Sequence, residues 1–336
     1  LSSYLNVAED EINFGPSTSQ NVYVLANALR PMWQAGDEII ASTQDHEANA
    51  GAWRRLEQSG IVVRDWNIDP TSGLLDIADL DNLISSRTRM IAFPHASNLI
   101  AHVNPVREVA EKAHRAGAIA VVDGVSYAPH GLPDIAALGA DIYLFSLYKT
   151  WGPHLGLMFV RGELRDKMSN QSHFFHQGKS RNMLVPAGPD HAQIAAAAGL
   201  ADYLDAVYAH HFTEQVDSAQ KGRALHALFS THEKTLLAPL LEFLKSRDDV
   251  RIIGPDESST RAATVTVLPL GKNIRDVAEG LAQDKLMVAT GNFYGVRPLT
   301  AMGIDPDPGV LRMSLVHYNT MAEIEQLIAG LTRALA

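Results

Sequence analysis

The amino-acid sequence predicts an α/β protein with a large domain built on a mostly parallel sheet and a small C-terminal α+β domain. Through the first two-thirds of the chain, continuous apolar runs alternate with helical segments, which is typical of parallel strands covered on both faces. The pattern changes after about Glu214. We therefore place the large domain in residues 1–213 and the small domain in residues 214–336.

Short apolar runs predict the strands of the large domain. A helix between two of these runs follows the capping residue Asn104, has Pro105 in its first turn and ends at Gly117. This alternation of strand and helix indicates a parallel sheet. The predicted strands are Asp37–Ser42, Ile61–Trp66, Arg89–Pro94, Ala118–Asp123, Asp141–Ser146 and His154–Val160.

The C-terminal part combines helices with fewer strands. Ala192–Tyr208 predicts a long Ala-rich helix that leaves the large domain. Farther along, the apolar residues of "DVRIIGP", "AATVTVLPL" and "VLRMSLVHYN" predict a small mixed sheet.

Composition excludes several functional classes. The chain has 336 residues, with 46% hydrophobic residues and a formal net charge of −10. An acidic surface repels nucleic-acid phosphates, and no apolar run approaches the ~18 residues that span a bilayer, so neither a nucleic-acid nor a membrane partner is expected. The lack of cysteine excludes disulfides, thiolate metal sites and a cysteine nucleophile. We expect a cytoplasmic protein without a bound metal. Since Leu1 is not methionine, the sequence leaves open whether an N-terminal segment precedes it.

Polar residues follow the predicted strands at their carboxyl ends, where open α/β sheets bind ligands. Gly15, Ser17 and Thr18 precede an amphipathic helix, whose free N–H groups and positive end predict an anion site. The other residues at strand ends are His46, Asn98, Asp123, Ser126, Ser146, Tyr148 and Lys149.

A phosphate cradle, a buried carboxylate, a flat ring and a lysine together indicate pyridoxal phosphate. The Lys149 amine is the candidate for a Schiff base with the cofactor aldehyde. Asp123 is predicted to keep the pyridine nitrogen protonated, so that the ring accepts electrons from a substrate carbanion. His46 is expected to stack on the ring and Asn98 to bind its phenolic oxygen.

Motifs in this order resemble the class V aminotransferases, a family that includes the cysteine desulfurases. The resemblance covers most of the chain and implies a fold-type I enzyme with a seven-stranded type of large sheet and a homodimer with active sites at the subunit interface. The motifs are "DHEAN" at Asp45–Asn49, "SNLIAHVNP" at Ser97–Pro105, "DGVS" at Asp123–Ser126, "SLYKTWGP" at Ser146–Pro153 and "RMSLVHYNT" at Arg312–Thr320.

The resemblance also implies an amino acid substrate. In the family, the arginine at the position of Arg312 holds the substrate carboxylate, a role that suits a bidentate guanidinium. The loop "ATGNFYGVRPL" corresponds to the one that carries the desulfurase cysteine, and here it contains Asn292, a predicted substrate-binding residue, and no cysteine. A persulfide mechanism on this chain alone is therefore excluded.

Other departures from the family pattern affect the reaction more than the cofactor. Ser126 stands where the family has Gln or His, and Tyr148 stands where it often has His. Pro189 takes the place of a threonine that reaches the partner subunit's phosphate, and Ala101 replaces a glycine. Transamination is the main prediction, and a C–S lyase that works by β-elimination is the alternative.

Two further hypotheses compete with these enzymes. "SLYK" matches the S-x-x-K of penicillin-binding serine enzymes, but Gly152 and Pro153 would break the helix that such a motif needs, and its partner motifs S-D-N and K-T-G are absent. The other hypothesis is a pyridoxal phosphate fold that has lost catalysis and serves as a binding or regulatory protein. The presence of Lys149, Asp123 and Arg312 argues against it.

Overall fold

A seven-stranded sheet forms the larger part of the structure, a computed structural model that describes residues 1–179 and 181–336. Its strands are β1 (Ile12–Gly15), β2 (Glu38–Ser42), β3 (Val62–Trp66), β4 (Thr88–Pro94), β5 (Ile119–Asp123), β6 (Ile142–Ser146) and β7 (Gly156–Val160). The order across the sheet is β1-β7-β6-β5-β4-β2-β3. All neighbours from β3 to β6 are parallel, and β7 is antiparallel to β6 and β1, so the mostly parallel sheet is confirmed.

Helices cover this sheet and surround the second one. The predicted helix at Ala192–Tyr208 is present but is interrupted at Ala197. The α-helices are α1 (Ser2–Leu5), α2 (Thr18–Leu29), α3 (Glu47–Arg54), α4 (Leu80–Leu83), α5 (Val106–Arg115), α6 (Ile135–Leu138), α7 (Gly162–Arg165), α8 (His191–Ala196), α9 (Ala198–His211), α10 (Ser218–Lys245), α11 (Ile274–Gln283), α12 (Val296–Ala301) and α13 (Met321–Ala334).

Both faces of the large sheet are buried along β2 and β4 to β7, which explains why these strands are almost continuously apolar, whereas the edge strand β3 is partly exposed. Because successive side chains of a strand point to opposite faces, neighbours such as Ile142 and Tyr143 of β6 enter different hydrophobic clusters. Both side chains are fully buried. A polar residue in the middle of these strands would therefore lie in a hydrophobic core.

The second sheet is small and wholly antiparallel. Its strands are β8 (Val250–Ile253), β9 (Thr264–Pro269), β10 (Ala289–Gly291) and β11 (Val310–Ser314), in the order β10-β11-β9-β8. The prediction of a mixed sheet was wrong, because β9 pairs with β8 without a crossover helix and β11 runs antiparallel to both of its neighbours. The short strands β1 and β10 were not predicted.

Helix α10 contacts the hydrophobic clusters of both sheets. Leu225 and Phe229 in its first half pack in a cluster of the large sheet. Leu237 and Leu241 in its second half pack with β9 and β11 of the small sheet. The predicted division at residues 213 and 214 falls in the connection before α10, and it remains a prediction. No helix in the described part of the chain is both long and apolar enough to cross a membrane.

Candidate active site

A cavity of about 570 Å³ lies at the carboxyl edge of the large sheet. Because β2, β4, β5 and β6 are parallel, the residues that follow them meet at this edge. Predicted site residues in its lining are Ser17, Thr18, His46, Asn98, Asp123, Ser126, Ser146, Tyr148, Lys149 and Arg312. Gly15 and Asn292 are outside this lining.

The first turn of α2 forms one end of the cavity. Ser17 caps the helix, since its Oγ accepts a hydrogen bond from the N–H of Gln20 at 3.2 Å. The Thr18 and Ser146 hydroxyl oxygens lie 2.8 Å apart. A Cβ on Gly156 of β7 would lie 2.4 Å from the backbone of Ser17, so only glycine allows this turn to lie against the strand. The resulting group of hydroxyls and free N–H groups suits a phosphate.

Gly15 has a packing role in the structure. A Cβ on this residue would lie 1.8 Å from Oδ1 of Asn21 in α2. Asn21 in turn donates its Nδ2 hydrogen to the Gly156 carbonyl at 3.0 Å. Gly15 thus provides the space for the side chain that joins α2 to β7.

Asp123 ends β5 and is a buried residue of the cavity lining. Its Oδ1 accepts the Val125 N–H at 2.8 Å, which fixes the carboxylate at the start of the following turn. Burial raises the pKa of Asp123 to about 6, and the Val125 N–H and the Lys149 charge limit the increase. A cationic ring nitrogen next to this carboxylate would replace the solvation that burial removes.

Lys149 lies in the tight connection between the antiparallel strands β6 and β7. The Thr150 hydroxyl donates to the Ser146 carbonyl at 3.1 Å, and Trp151 has a left-handed φ of 58°. Gly152 donates its N–H to the Leu147 carbonyl at 2.8 Å, which closes the turn. Within residues 1–179 and 181–336, the Lys149 amine has neither an ion pair nor a hydrogen bond to protein, and it lies 5.8 Å from the centroid of the Tyr148 ring. The Tyr148 ring itself stacks on His154.

His46 presents a neutral ring to the cavity. It caps α3, and its Nδ1 accepts the N–H of Ala48 at 3.0 Å, which leaves the proton on Nε2. Burial, together with the positive charges of Lys149 and Arg312, lowers the pKa of His46 to about 4. An uncharged flat ring at this position suits stacking on an aromatic cofactor.

Arg312 of β11 reaches the cavity from the small sheet. Its Nη1 donates to the Asn98 carbonyl at 3.1 Å, and its guanidinium carbon lies 3.9 Å from the centroid of the Phe293 ring. No carboxylate lies within 4.0 Å of this guanidinium among the residues that the structure describes. Burial lowers the pKa of Arg312 to about 10, so the side chain stays cationic at neutral pH.

Asn98 and Asn292 use their amides differently. The Asn98 Nδ2 donates to the Phe293 carbonyl at 2.8 Å, while its buried Oδ1 has no partner in the described part of the chain. The Asn292 Oδ1 accepts the Tyr294 N–H at 3.0 Å and its Nδ2 donates to the Pro306 carbonyl at 3.4 Å. Asn292 therefore shapes the turn before Phe293, and its predicted substrate contact remains a prediction.

Sequence analysis did not assign a role to several lining residues. Ser19 and Tyr23 lie on α2 beyond the predicted cradle, and Glu47 follows His46. Phe293 and Tyr294 belong to the loop "ATGNFYGVRPL", for which the sequence indicated only the absence of a cysteine. Neither Tyr23, on the exposed side of α2, nor Glu47, beside a distant loop, has a sequence signal that places it at the cavity.

Comparisons with known proteins decide the family. The Aminotransferase class-V family matches residues 1–327. The chain belongs to the class V aminotransferase family. It is 31% identical over 339 residues to the aminotransferase-like protein FGM3 of Gibberella zeae, covering 99% of this chain and 80% of that protein. It is likewise 31% identical to the cysteine desulfurase-like protein ustD of Aspergillus flavus, covering 98% of this chain and 75% of that protein.

Solved structures support the same fold. The cysteine desulfurase CsdA of Escherichia coli superposes with a TM-score of 0.82 at 24% identity, over 99% of this chain and 81% of that one. The cysteine desulfurase of Thermococcus onnurineus NA1 gives 0.83 at 23% identity, with the same coverage. At this level of identity the likeness establishes the fold, and the predicted fold-type I architecture is confirmed.

Class V aminotransferases depend on pyridoxal phosphate, and the cavity of this family member fits that group. Ser17 and Thr18 offer phosphate donors at a helix N-terminus, and Asp123 offers a buried carboxylate. The unpartnered Oδ1 of Asn98 and the unpaired amine of Lys149 are polar groups that a bound cofactor would satisfy within the described cavity.

Acid is expected to destabilise the fold through buried histidines such as His95. Burial lowers the pKa of His95 to about 3, whereas an unfolded histidine titrates near 6.5. Stability present at neutral pH is therefore lost as the pH falls below about 6.5, by about 2 kcal/mol at pH 5 for this group alone. Urea unfolding of the wild type and of His95→Gln at pH 7 and pH 5 checks the difference.

His210→Gln, on the exposed side of α9, serves as the control and should keep the wild-type pH dependence. If His95→Gln loses as much stability between pH 7 and pH 5 as the wild type does, the acid sensitivity has another source.

Proposed function

We propose that this class V family member is a pyridoxal-phosphate enzyme that transaminates an amino acid. One observation carries the proposal: the cationic Arg312 lies on the wall of the same cavity as Lys149 and Asp123 and has no acidic partner in the described residues. A desolvated guanidinium without a counter-ion is a binding site for a carboxylate. An α-amino acid provides a carboxylate next to the amine that reacts with the cofactor.

The side chains around the cavity have different proposed roles. Ser17 and Thr18 would hold the cofactor phosphate, His46 would lie on the ring, and Lys149 would bind the aldehyde carbon covalently. The bound cofactor withdraws electrons from the bonds to the substrate α-carbon. Asp123 would keep the ring nitrogen protonated, which strengthens that withdrawal.

Lys149 is proposed to move the proton. With the cofactor bound to the substrate amine, the free Lys149 Nζ would be a base that could remove the α-proton of the substrate and hold it for return to a neighbouring carbon. Transamination needs this single proton-transfer group, and Lys149 is an unpaired amine in the described cavity lining. His46 is a weaker base, with a pKa of about 4, and its Nδ1 already accepts the N–H of Ala48 while Nε2 carries the proton, so it is less suited to remove the α-proton.

Elimination of a β-substituent with C–S cleavage is the second candidate. It is supported by the likeness to the cysteine desulfurase-like protein ustD. Because the chain contains no cysteine, sulfur would have to leave as sulfide and not as a protein persulfide. The third hypothesis, an inactive binding or regulatory protein, predicts no turnover of any amino acid.

Product analysis separates these reactions. Purified protein with pyridoxal phosphate is incubated with single amino acids, with and without a keto-acid acceptor, and keto acid, ammonia and sulfide are quantified. Transamination predicts keto acid that depends on the acceptor and forms without ammonia. Acceptor-independent release of ammonia, together with sulfide from cysteine, would show elimination instead.

A cytoplasmic homodimer is the proposed form of the protein. Closed symmetric pairs are the commonest soluble assemblies. A chain of 336 residues without cysteine needs no oxidising compartment for folding. Light scattering of purified protein measures the mass in solution. The proposal predicts the mass of two chains, and the mass of one chain would contradict it.

Arg312→Ala is expected to raise KM for the amino acid by about 10- to 100-fold, because the substrate carboxylate loses a charge-assisted, desolvated hydrogen-bond pair. The change in kcat should be smaller, since the carboxylate is bound in both the ground state and the transition state. Steady-state kinetics with the substrate identified by the product analysis measure both constants.

Arg251→Ala is the matched control. Arg251 lies on β8 of the same small sheet, and its Nη1 donates to the Met302 carbonyl at 3.3 Å, away from the cavity lining. Its KM should stay at the wild-type value. An unchanged KM in Arg312→Ala would remove Arg312 from the substrate site and would leave the proposed substrate class without support.

A further inference from the structure

Phe293 connects two residues of the candidate site. Its ring covers one face of the Arg312 guanidinium, 3.9 Å from the guanidinium carbon to the ring centroid. Its backbone carbonyl accepts the Asn98 Nδ2 hydrogen at 2.8 Å, and the Asn98 carbonyl accepts from Arg312 Nη1 at 3.1 Å. The three residues therefore form a closed set of contacts in which each touches the other two.

The backbone around Phe293 is held in an unusual conformation. Phe293 and Tyr294 have left-handed φ values of 49° and 58°, which non-glycine residues rarely adopt. Two contacts hold this conformation: the Asn292 Oδ1 accepts the Tyr294 N–H, and the Tyr294 carbonyl accepts the Glu47 N–H at 2.9 Å. A Cβ on Gly295 would lie 2.4 Å from a methyl group of Leu99, so the loop also packs closely.

This arrangement leaves part of the guanidinium available to a ligand. The ring of Phe293 occupies one face, and the Asn98 carbonyl takes a hydrogen of Nη1. In the described residues, the remaining N–H groups of Arg312 have no protein acceptor. A long side chain held on two sides loses less conformational entropy when it binds a carboxylate.

We propose that Phe293 is a positioning residue that fixes the Arg312 guanidinium for the substrate carboxylate and thereby sets substrate affinity. The proposal rests on the proposed function for the identity of the ligand. The role depends on the π face of the ring, because an aliphatic side chain fills similar space without attracting a cation.

Kinetics of Phe293→Leu and Phe293→Tyr test this role in the holoenzyme. Phe293→Leu should raise KM for the amino acid by about tenfold, with kcat within about twofold of the wild type. Phe293→Tyr keeps the π face and should have the wild-type KM. Phe243→Leu is the control, because Phe243 also lies under an arginine, Arg247, at 5.7 Å, but in the small domain outside the cavity lining. Its KM should not change.

A double mutant isolates the contact. In an Arg312→Ala background, Phe293→Leu should have no further effect on KM, since the guanidinium that it positions is gone. Full additivity of the two effects on KM would overturn the proposal. An unchanged KM in Phe293→Leu would overturn it as well, and so would a KM in Phe293→Tyr as high as in Phe293→Leu. A fall in kcat without a change in KM would overturn it too.

Carboxylate binding gives a readout besides turnover. Propionate is titrated into the cofactor-loaded protein, and the change in cofactor absorption gives the Kd of propionate. This Kd should rise about tenfold in Phe293→Leu. If no amino acid is turned over but propionate binding still depends on Phe293 and Arg312, the proposed function fails and the positioning role stands. Equal Kd values in Phe293→Leu and wild type would overturn the role.

Discussion

Lys149→Ala is expected to lower kcat/KM for the amino acid substrate by at least about 10³-fold. The substitution removes both the covalent attachment of the cofactor and the proposed base at the α-carbon, and each such role contributes about 10²- to 10⁴-fold. The lysine has no ion pair within 4.0 Å among the described residues, so its removal breaks no salt bridge. Initial rates with purified holoenzyme measure the loss.

Lys112→Ala controls for the loss of a lysine. Lys112 lies on α5 and pairs with Asp81 at the surface, so the variant should keep wild-type kinetics. Melting curves of both variants verify that they are folded. If Lys149→Ala keeps more than a tenth of the wild-type activity, Lys149 is neither the cofactor lysine nor the base.

Asp123→Asn is expected to lower kcat by about 10²-fold or more, a magnitude typical of removing one preorganised electrostatic partner. A neutral amide cannot hold a protonated ring nitrogen, so the ring withdraws electrons less strongly. Since the pKa of Asp123 is raised to about 6, its negative charge is lost as the pH falls through that value, and cofactor affinity should weaken below about pH 6. The variant should lose this part of the pH dependence.

Asp141→Asn removes a comparable carboxylate at the opposite edge of the sheet. Asp141 precedes β6, where its Oδ2 accepts the Ala120 N–H at 2.8 Å. The variant should keep kcat and the pH dependence of cofactor binding, whatever its stability. If Asp123→Asn behaves in the same way, the carboxylate has only a structural role.

Residues at the ends of parallel strands were predictable from the sequence. Asp123 and Lys149 each follow a continuous apolar run, and the parallel order of β5 and β6 brings those two ends together. The position of Ser17 directly before an amphipathic helix was also predictable, and in the structure Ser17 caps that helix.

Contacts between distant segments could not be predicted in this way. Phe293 and Asn98 are 195 residues apart, and their hydrogen bond depends on how the small sheet packs on the large one. Asn292 illustrates the same point: its position in the loop predicts a substrate contact, which remains a prediction, and only the structure shows that its amide contacts Tyr294 and Pro306. Short edge strands such as β10, with three residues, carry too little pattern to be recognised.

The central claim is that Lys149 binds pyridoxal phosphate covalently in this cavity. The most direct test is the visible absorption of purified protein given the cofactor, followed by borohydride reduction and peptide mass analysis of wild type and Lys149→Ala. A yellow band, and a reduced adduct found on Lys149 in the wild type and on no peptide of the variant, is the predicted result. An adduct on another lysine, or no band in either protein, would contradict the claim and with it the roles of Asp123 and His46.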